Sequence, residues 1–324
     1  MKAFVYETYG APDVLKFQEI ATPTPKEDEV LIKIAAASVN AYDWHLLTAD
    51  IFLVRFMGGG LFKPKNTLLG ADVAGRVAAI GSKVKQFQPG DAVFGDLSAH
   101  GNGGFAEYVA VPERALALKP ANLSFEEAAA VPMAALTALQ GLRDKGNIQP
   151  RQKVLINGAS GGVGTFAVQI AKVFGADVTA VCSTRNLDQA RAIGADHVID
   201  YTKEDFTQNG QRYDLILAAN GYHPLSAYKR ALAPQGAYVM AGGSMAQIFQ
   251  AVLLGPWMSR GGDKKLGNVT AVPNQRDLMV MKEWLEAGEV VPVIDRCYPL
   301  LALPDALRYL GEGHARGKVV ITME

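Results

Sequence analysis

Between Lys153 and Gly175 the chain reads KVLINGASGGVGTFAVQIAKVFG, the stretch in which residue types and spacing point most directly to chemistry. The run 153–157 is short, apolar and β-branched, which suits a strand buried on both faces. A glycine-dense turn follows over 158–164. From Thr165 the pattern changes to spacings of three and four, with Phe166, Ile170 and Val173 forming an apolar stripe. A strand therefore feeds a helix through a turn of a few residues. The start of a helix presents unpaired backbone N–H groups and partial positive charge, a place for phosphate. The turn reads Ala159-Ser160-Gly161-Gly162-Val163-Gly164, so Ala159 stands at the first glycine of the dinucleotide fingerprint G-x-G-x-x-G. Gly161 would let a pyrophosphate approach the backbone, and Gly164 would let helix and strand pack closely.

The elements around this turn divide the chain in two. Residues 1–123 carry β-like runs at 3–6, 29–38, 75–80, 92–95 and 106–111, separated by Pro and Gly. Many short strands of this kind suggest a small barrel or sandwich. Ser124 followed by Glu127 has the spacing of a capping box, and 128–142 is helical in composition. Strands are then expected at 153–157, 177–182, 197–199, 215–218 and 237–241, with helices at 165–174 and 187–193 between them. That alternation is βαβ order and predicts a doubly wound parallel sheet, an α/β fold. Beyond Gly243 the expectations are a strand at 266–272, a helix at 275–287, strands at 291–295 and 318–322, and a helix at 303–311. The last strands need a β partner, so 273–324 is expected to rejoin the first domain, leaving 124–272 as the nucleotide-binding domain.

The bulk properties narrow the class. The 324 residues carry 32 Lys+Arg against 32 Asp+Glu, which argues against nucleic acid as a partner. Two cysteines cannot form a disulfide framework and suit a reducing cytoplasm. No stretch has the roughly 18 apolar residues of a membrane span, and the MKAFVYETYG start has no targeting pattern.

The chain resembles the medium-chain dehydrogenase/reductase superfamily over its whole length. The resemblance rests on GADVAGRV at 70–77, QPGDAV at 88–93, GFAEY at 104–108, ALTAL at 135–139, the glycine turn, and HARGKVV at 314–320. SVNAYDW at 38–44 and the Gly-Gly-Val-Gly turn are similar to its quinone and enone reductase branch. The resemblance implies a GroES-like catalytic barrel, a Rossmann domain, a cofactor cleft and a homodimer paired through the 266–272 strand. Zinc members place Cys at the first catalytic ligand and His in a Gly-His-Glu motif. Here those positions hold Asn40 and Gly70-Ala71-Asp72, and the structural zinc lobe has no cysteines. Three ligands are needed for a catalytic zinc, so the expectation is a site without metal.

The second nucleotide-domain strand ends in Ser183-Thr184-Arg185-Asn186, where an NAD enzyme usually carries an acid for the ribose 2′-hydroxyl. Hydroxyls and a guanidinium suit a 2′-phosphate instead, which predicts NADPH. The resemblance adds Tyr201 near the adenosine phosphate, and Thr137, Asn220, Gly242, Gly243 and Lys318 to the cofactor-binding set. It places Asn40 at the nicotinamide end, with Tyr42 and His45 as further catalytic candidates. The expected reaction is hydride transfer to a quinone or an α,β-unsaturated carbonyl. Without a metal, hydrogen-bond donors must stabilise the charge that builds on the substrate oxygen. Tyr42, His45 or water could return the proton. An apolar cover at 52–57 and a second apolar segment at 247–257 suggest a roomy pocket. Alternative readings are a zinc alcohol dehydrogenase and a catalytically silent NADPH-binding interaction protein.

Overall fold

A computed structural model describes residues 1–50, 55, 60–221, 223–243, 259 and 262–323. In chain order the strands begin with β1 (Lys2–Val5), β2 (Lys16–Glu19), β3 (Glu29–Val39), β4 (Asp72–Ile80), β5 (Ala92–Asp96), β6 (Tyr108–Pro112) and β7 (Leu116–Leu118). They continue with β8 (Lys153–Asn157), β9 (Asp177–Cys182), β10 (His197–Asp200), β11 (Tyr213–Ala218), β12 (Leu232–Met240), β13 (Lys265–Asn268), β14 (Ile294–Pro299) and β15 (Lys318–Thr322). The helices used below are α1 (Ala41–Thr48), α2 (Phe125–Ala129), α3 (Pro132–Gln140) and α4 (Gly162–Val173).

The chain forms two units. The first comprises Met1–Met133, Val272–Ala287 and Pro292–Glu324, and the second Ala134–Ala271 with Gly288–Val291. The division thus falls at 133/134, not at 123/124. The reason is α2, which packs on β3 and β4 and stays with the first unit. Its capping box is present: Ser124 Oγ accepts from the Glu127 N–H, and Glu127 accepts from the Ser124 N–H.

In the first unit a seven-stranded sheet runs β14-β15-β3-β4-β5-β7, with β6 also on β3. The long strand β3 binds it together. Val30, Ile32 and Ile34 alternate into a core with Val73, Val93 and Leu116, while Lys33 faces out. The tail returns as expected, since β15 pairs antiparallel with β3, Val319 opposite Val39. On the other side of β3, Ser38 lies opposite Asp72 of β4, and Asp72 opposite Asp96 of β5. These registers bring residues 38, 72, 96 and 318 to one end of the sheet.

The second unit is a six-stranded sheet in the order β10-β9-β8-β11-β12-β13, with every pairing parallel. The order reverses between β8 and β11, the point where an open α/β sheet leaves a crevice at its strand ends. β8, whose Val154–Asn157 are all buried, leads through Gly158 (φ +83) into α4. The close packing expected at Gly164 is present: a Cβ there would collide with the Gly158 carbonyl oxygen.

The structure departs from the sequence reading in several elements. The helical stretch at 128–142 is broken into α2 and α3, because Val131-Pro132 interrupts it. The strand expected at 291–295 begins at Ile294, and the one expected at 266–272 ends at Asn268. α1, β2 and β7 are short and carry little periodic signal, and the sequence reading did not locate them.

Candidate functional site

In the first unit the chemistry gathers around Asp72, whose side chain is fully buried. Its Oδ2 accepts from Ser38 Oγ at 2.7 Å, Asn40 Nδ2 at 2.9 Å and Lys318 Nζ at 3.1 Å. Its Oδ1 accepts from the Met133 N–H at 2.9 Å. Lys318, at 3% exposure, also donates to Asn40 Oδ1. A buried carboxylate is tolerable only when paired and hydrogen-bonded, and this one has four donors.

Asn40 precedes α1 as its N-cap, and its amide also enters this network. Asp43 supplies the other half of the capping arrangement. Its Oδ2 accepts the Asn40 N–H at 2.9 Å and its Oδ1 the Gly70 N–H at 3.0 Å. Burial pushes the Asp43 carboxyl up to about 7, against the pull of those two N–H donors. Asp96 is also raised, by burial first and then by the neighbouring Asp72 charge, while Ser98 donates to its Oδ1 at 2.8 Å. Three buried carboxyls thus share one ammonium.

Tyr42 and His45 lie on α1. The Tyr42 hydroxyl donates to the Ser98 carbonyl at 3.4 Å; burial is the main cause that raises its pKa, and the Asn102 side chain acts the other way. His45 Nδ1 is 2.8 Å from Asp50 Oδ1, in a pair open to solvent. Asn40, Tyr42 and Lys318 therefore belong to one buried polar region, and His45 faces outward. Ser38, Asp43, Asp72, Asp96 and Asn102 also belong to it, and none of them is among the site residues expected from the sequence; Asp72 is visible there only as part of the altered Gly-Ala-Asp motif, and Asp43 only as the acid three residues after a helix N-cap.

In the second unit the turn from Ala159 to Gly164 leaves space for a ligand. Among the described residues a Cβ on Gly161 would meet only the Gly158 carbonyl oxygen, at 3.8 Å. Asn186 is 4% exposed; its Nδ2 donates to Ser160 Oγ at 3.0 Å and to Ser183 Oγ at 3.2 Å. Its buried Oδ1 has no hydrogen-bond partner among the described residues. An open cradle on a helix start, with an orphan acceptor beside it, fits a dinucleotide. Arg185 is exposed, and so is Tyr201, whose N–H bonds to the Cys182 carbonyl at 3.1 Å beside Ser183.

An acid absent from the β9 terminus arrives from the next strand. Asp200, at the end of β10, accepts from Thr184 Oγ at 2.5 Å and from Thr202 Oγ at 2.7 Å. The Thr184 hydrogen bond is the main cause that holds its carboxyl down at about 2. The Thr184 hydroxyl proton is therefore committed to a carboxylate, which leaves Arg185 as the cation of this segment.

Thr137 is buried on α3, Gly242 and Gly243 follow β12, and the Asn220 N–H bonds to the Asn157 carbonyl at the end of β8. The expected cover at 52–57 lies outside the described residues except for Arg55, which sits over the Tyr9 ring at 4.9 Å. The segment 247–257 lies outside them entirely. Among the described residues no three His, Cys, Asp or Glu are placed to hold a metal ion, and no helix is long and apolar enough to cross a membrane.

The alcohol dehydrogenase GroES-like domain family matches residues 26–121, and the zinc-binding dehydrogenase family matches 193–321. The 2-methylene-furan-3-one reductase of Solanum lycopersicum is 40% identical over 99% of this chain and 79% of its own length. The chloroplast envelope quinone oxidoreductase homolog of Arabidopsis thaliana is 34% identical over 99% of this chain and 98% of its own. Among solved structures, the quinone oxidoreductase from Coxiella burnetii has a TM-score of 0.87 at 28% identity, covering 100% of this chain and 99% of that one. The chain belongs to the medium-chain dehydrogenase/reductase superfamily and is an oxidoreductase. Within the superfamily it falls in the quinone and enone oxidoreductase branch.

Two measurements test the electrostatics of the first unit. Replacing Lys318 by Met strands Asp72 without its cation and is expected to cost about 3–5 kcal/mol of unfolding free energy; an unchanged denaturant midpoint would contradict the pairing. The raised carboxyls of Asp43 and Asp96 bind more protons folded than unfolded between about pH 4 and pH 7. Their contribution to stability is therefore full below that window and is lost as pH rises through it. Asp96→Asn should flatten the fall, read as unfolding free energy against pH, whereas an unaltered slope would place the titration elsewhere.

Proposed function

We propose that this chain reduces α,β-unsaturated carbonyl compounds and quinones with NADPH and without a catalytic metal. The observation that carries the metal-free reading is Lys318. Its ammonium sits on Asn40 and Asp72, the two positions that correspond to metal-binding motifs in zinc members. A divalent cation there would face a fixed positive charge and an acceptor already in use. The names of the relatives support the acceptor class, since they include a furanone reductase and a quinone oxidoreductase homolog.

Bound NADPH would supply the hydride. The residues from Ala159 to Gly164 and Ser183 to Asn186 hold the nucleotide, with Thr137, Tyr201, Asn220, Gly242 and Gly243 completing its site. Arg185 favours the 2′-phosphate through charge-assisted hydrogen bonds. In the first unit, Asn40 and Asp72 hold the Lys318 charge in place, and that charge offsets the negative charge developing on the substrate oxygen. Tyr42 and His45 are the side chains on α1 able to exchange a proton.

A homodimer is proposed through β13, the last strand of its sheet, because pairing removes an exposed edge. A reducing compartment such as the cytoplasm suits the two free thiols of Cys182 and Cys297. Purified protein should oxidise NADPH in the presence of a 2-alkenal or a quinone, faster than NADH, and keep its rate in chelator. No turnover with any acceptor, or loss of rate on chelation with one zinc per chain, would overturn the reading. Sedimentation at twice the 34.6 kDa chain mass is expected; the mass of a monomer would remove the dimer.

A further inference from the structure

One side chain ties the segment after β9 to the glycine turn. Asn186 Nδ2 donates to Ser160 Oγ, inside the turn, at 3.0 Å and to Ser183 Oγ at 3.2 Å. β8 and β9 run parallel with Asn157 opposite Val181, so both strands end on the same side of the sheet. A dinucleotide whose pyrophosphate lies on the start of α4 has its adenosine ribose at the end of the second strand. That end is Ser183-Thr184-Arg185-Asn186, where Thr184 and Arg185 are exposed.

The hydroxyls at this ribose position have their protons turned inward. β10 pairs parallel with β9, Asp200 opposite Cys182, which sets the Asp200 carboxylate beside Thr184 at 9% exposure. Asp200 Oδ2 accepts from Thr184 Oγ at 2.5 Å, and Oδ1 from the Thr202 N–H at 3.1 Å and Thr202 Oγ at 2.7 Å. A hydroxyl has one proton. Both are on Asp200, although the two oxygens lie 3.2 Å apart. The carboxyl is held down at about 2, chiefly by the Thr184 hydrogen bond, and is ionised throughout the neutral range. Thr184 and Thr202 are exposed, and they offer a ligand lone pairs without a proton. Two cations stand near them: Arg185, and Lys203 with its Nζ 3.6 Å from Asp200 Oδ2.

A 2′-phosphate has acceptor oxygens and negative charge, so it needs donors. At Thr184 it would meet lone pairs with a carboxylate beside them. A ribose 2′-hydroxyl is a donor as well as an acceptor and can give its proton to Thr184 Oγ. We propose that Asp200 is a specificity-determining residue for the nucleotide: by holding the Thr184 proton it keeps NADH in use and limits the preference for NADPH that Arg185 confers. This rests on the NADPH reading above. In NAD enzymes the acid at the end of the second strand grips the 2′-hydroxyl itself; here the acid comes from the next strand and acts through Thr184.

The substitution Asp200→Asn has a defined effect on this network. Its amide oxygen stays on Thr202, which presents both an N–H and an O–H donor. Its NH2 group then faces Thr184 Oγ and donates to it. The Thr184 proton turns outward toward the ribose, and one negative charge is gone. Thr184→Val removes the hydroxyl and leaves Asp200 its Thr202 donors, so it tests the same claim without altering the charge.

The experiment is calorimetric titration of the wild type, both single variants and the double variant with NADP+ and with NAD+, no acceptor being present. Asp200→Asn is expected to raise the affinity ratio of NADP+ to NAD+ about tenfold. In the double variant that gain should shrink to about threefold, the part due to charge alone. Thr184→Val by itself is expected to weaken NAD+ about fivefold more than NADP+. An Asp200→Asn protein no more selective for NADP+, or a Thr184→Val protein that loses more affinity for NADP+ than for NAD+, would overturn the proposal. A wild type that binds neither nucleotide would remove the cofactor reading, and the proposal with it.

Discussion

The first unit depends on keeping one buried ammonium between groups that can satisfy it. Lys318 and Asp72 are each almost without solvent contact. Taking such ions out of water costs several kcal/mol apiece, and Coulomb attraction repays this only when the remaining hydrogen bonds are made. They are made here because three strands lie in fixed register. β15 brings Lys318 beside β3, β3 brings Ser38 opposite Asp72, and Asn40 follows β3 directly. A slip of one residue in either pairing would turn these side chains to the opposite face. The pair joins the C-terminal strand to the body of the sheet beside the apolar core around Val319 and Ile321.

The same arrangement accounts for the electrostatics around it. One ammonium cannot balance Asp43, Asp72 and Asp96 together. Asp72 takes the cation and two further side-chain donors. Asp43 and Asp96 are left with mainly backbone N–H partners, and their carboxyls are raised. The polar region therefore holds protons near neutral pH beside Tyr42 and Asn102. In the second unit the logic is different. There the backbone does the binding: an open glycine cradle, a helix start and a close helix–strand contact at Gly164 need no charged side chain.

Much of this was legible in the chain. The glycine turn was readable because a phosphate-binding turn demands small residues at fixed offsets between a strand and a helix. β8, β9 and β15 fell where their apolar runs placed them. The barrel strands were readable from alternation and from Pro and Gly punctuation. Other features left little trace. α1 has eight residues, and the polar Asn40, Tyr42 and Asp43 at its cap and first turn obscure its periodicity. Asp96 and Asn102 look like ordinary loop and strand-end residues. Asp200 lies sixteen positions beyond Thr184, and only the β9–β10 pairing brings it alongside.

By itself the amino-acid sequence determined the class of fold, the nucleotide-binding turn and the replacement of zinc ligands at Asn40 and Ala71, because each of these is a matter of residue type at short range. Tertiary structure alone decided that Lys318, separated from Asn40 by 278 positions, would stand on it and on Asp72. Strand register sets those contacts, and register follows from how whole strands bury their apolar faces against one another, which no local spacing records.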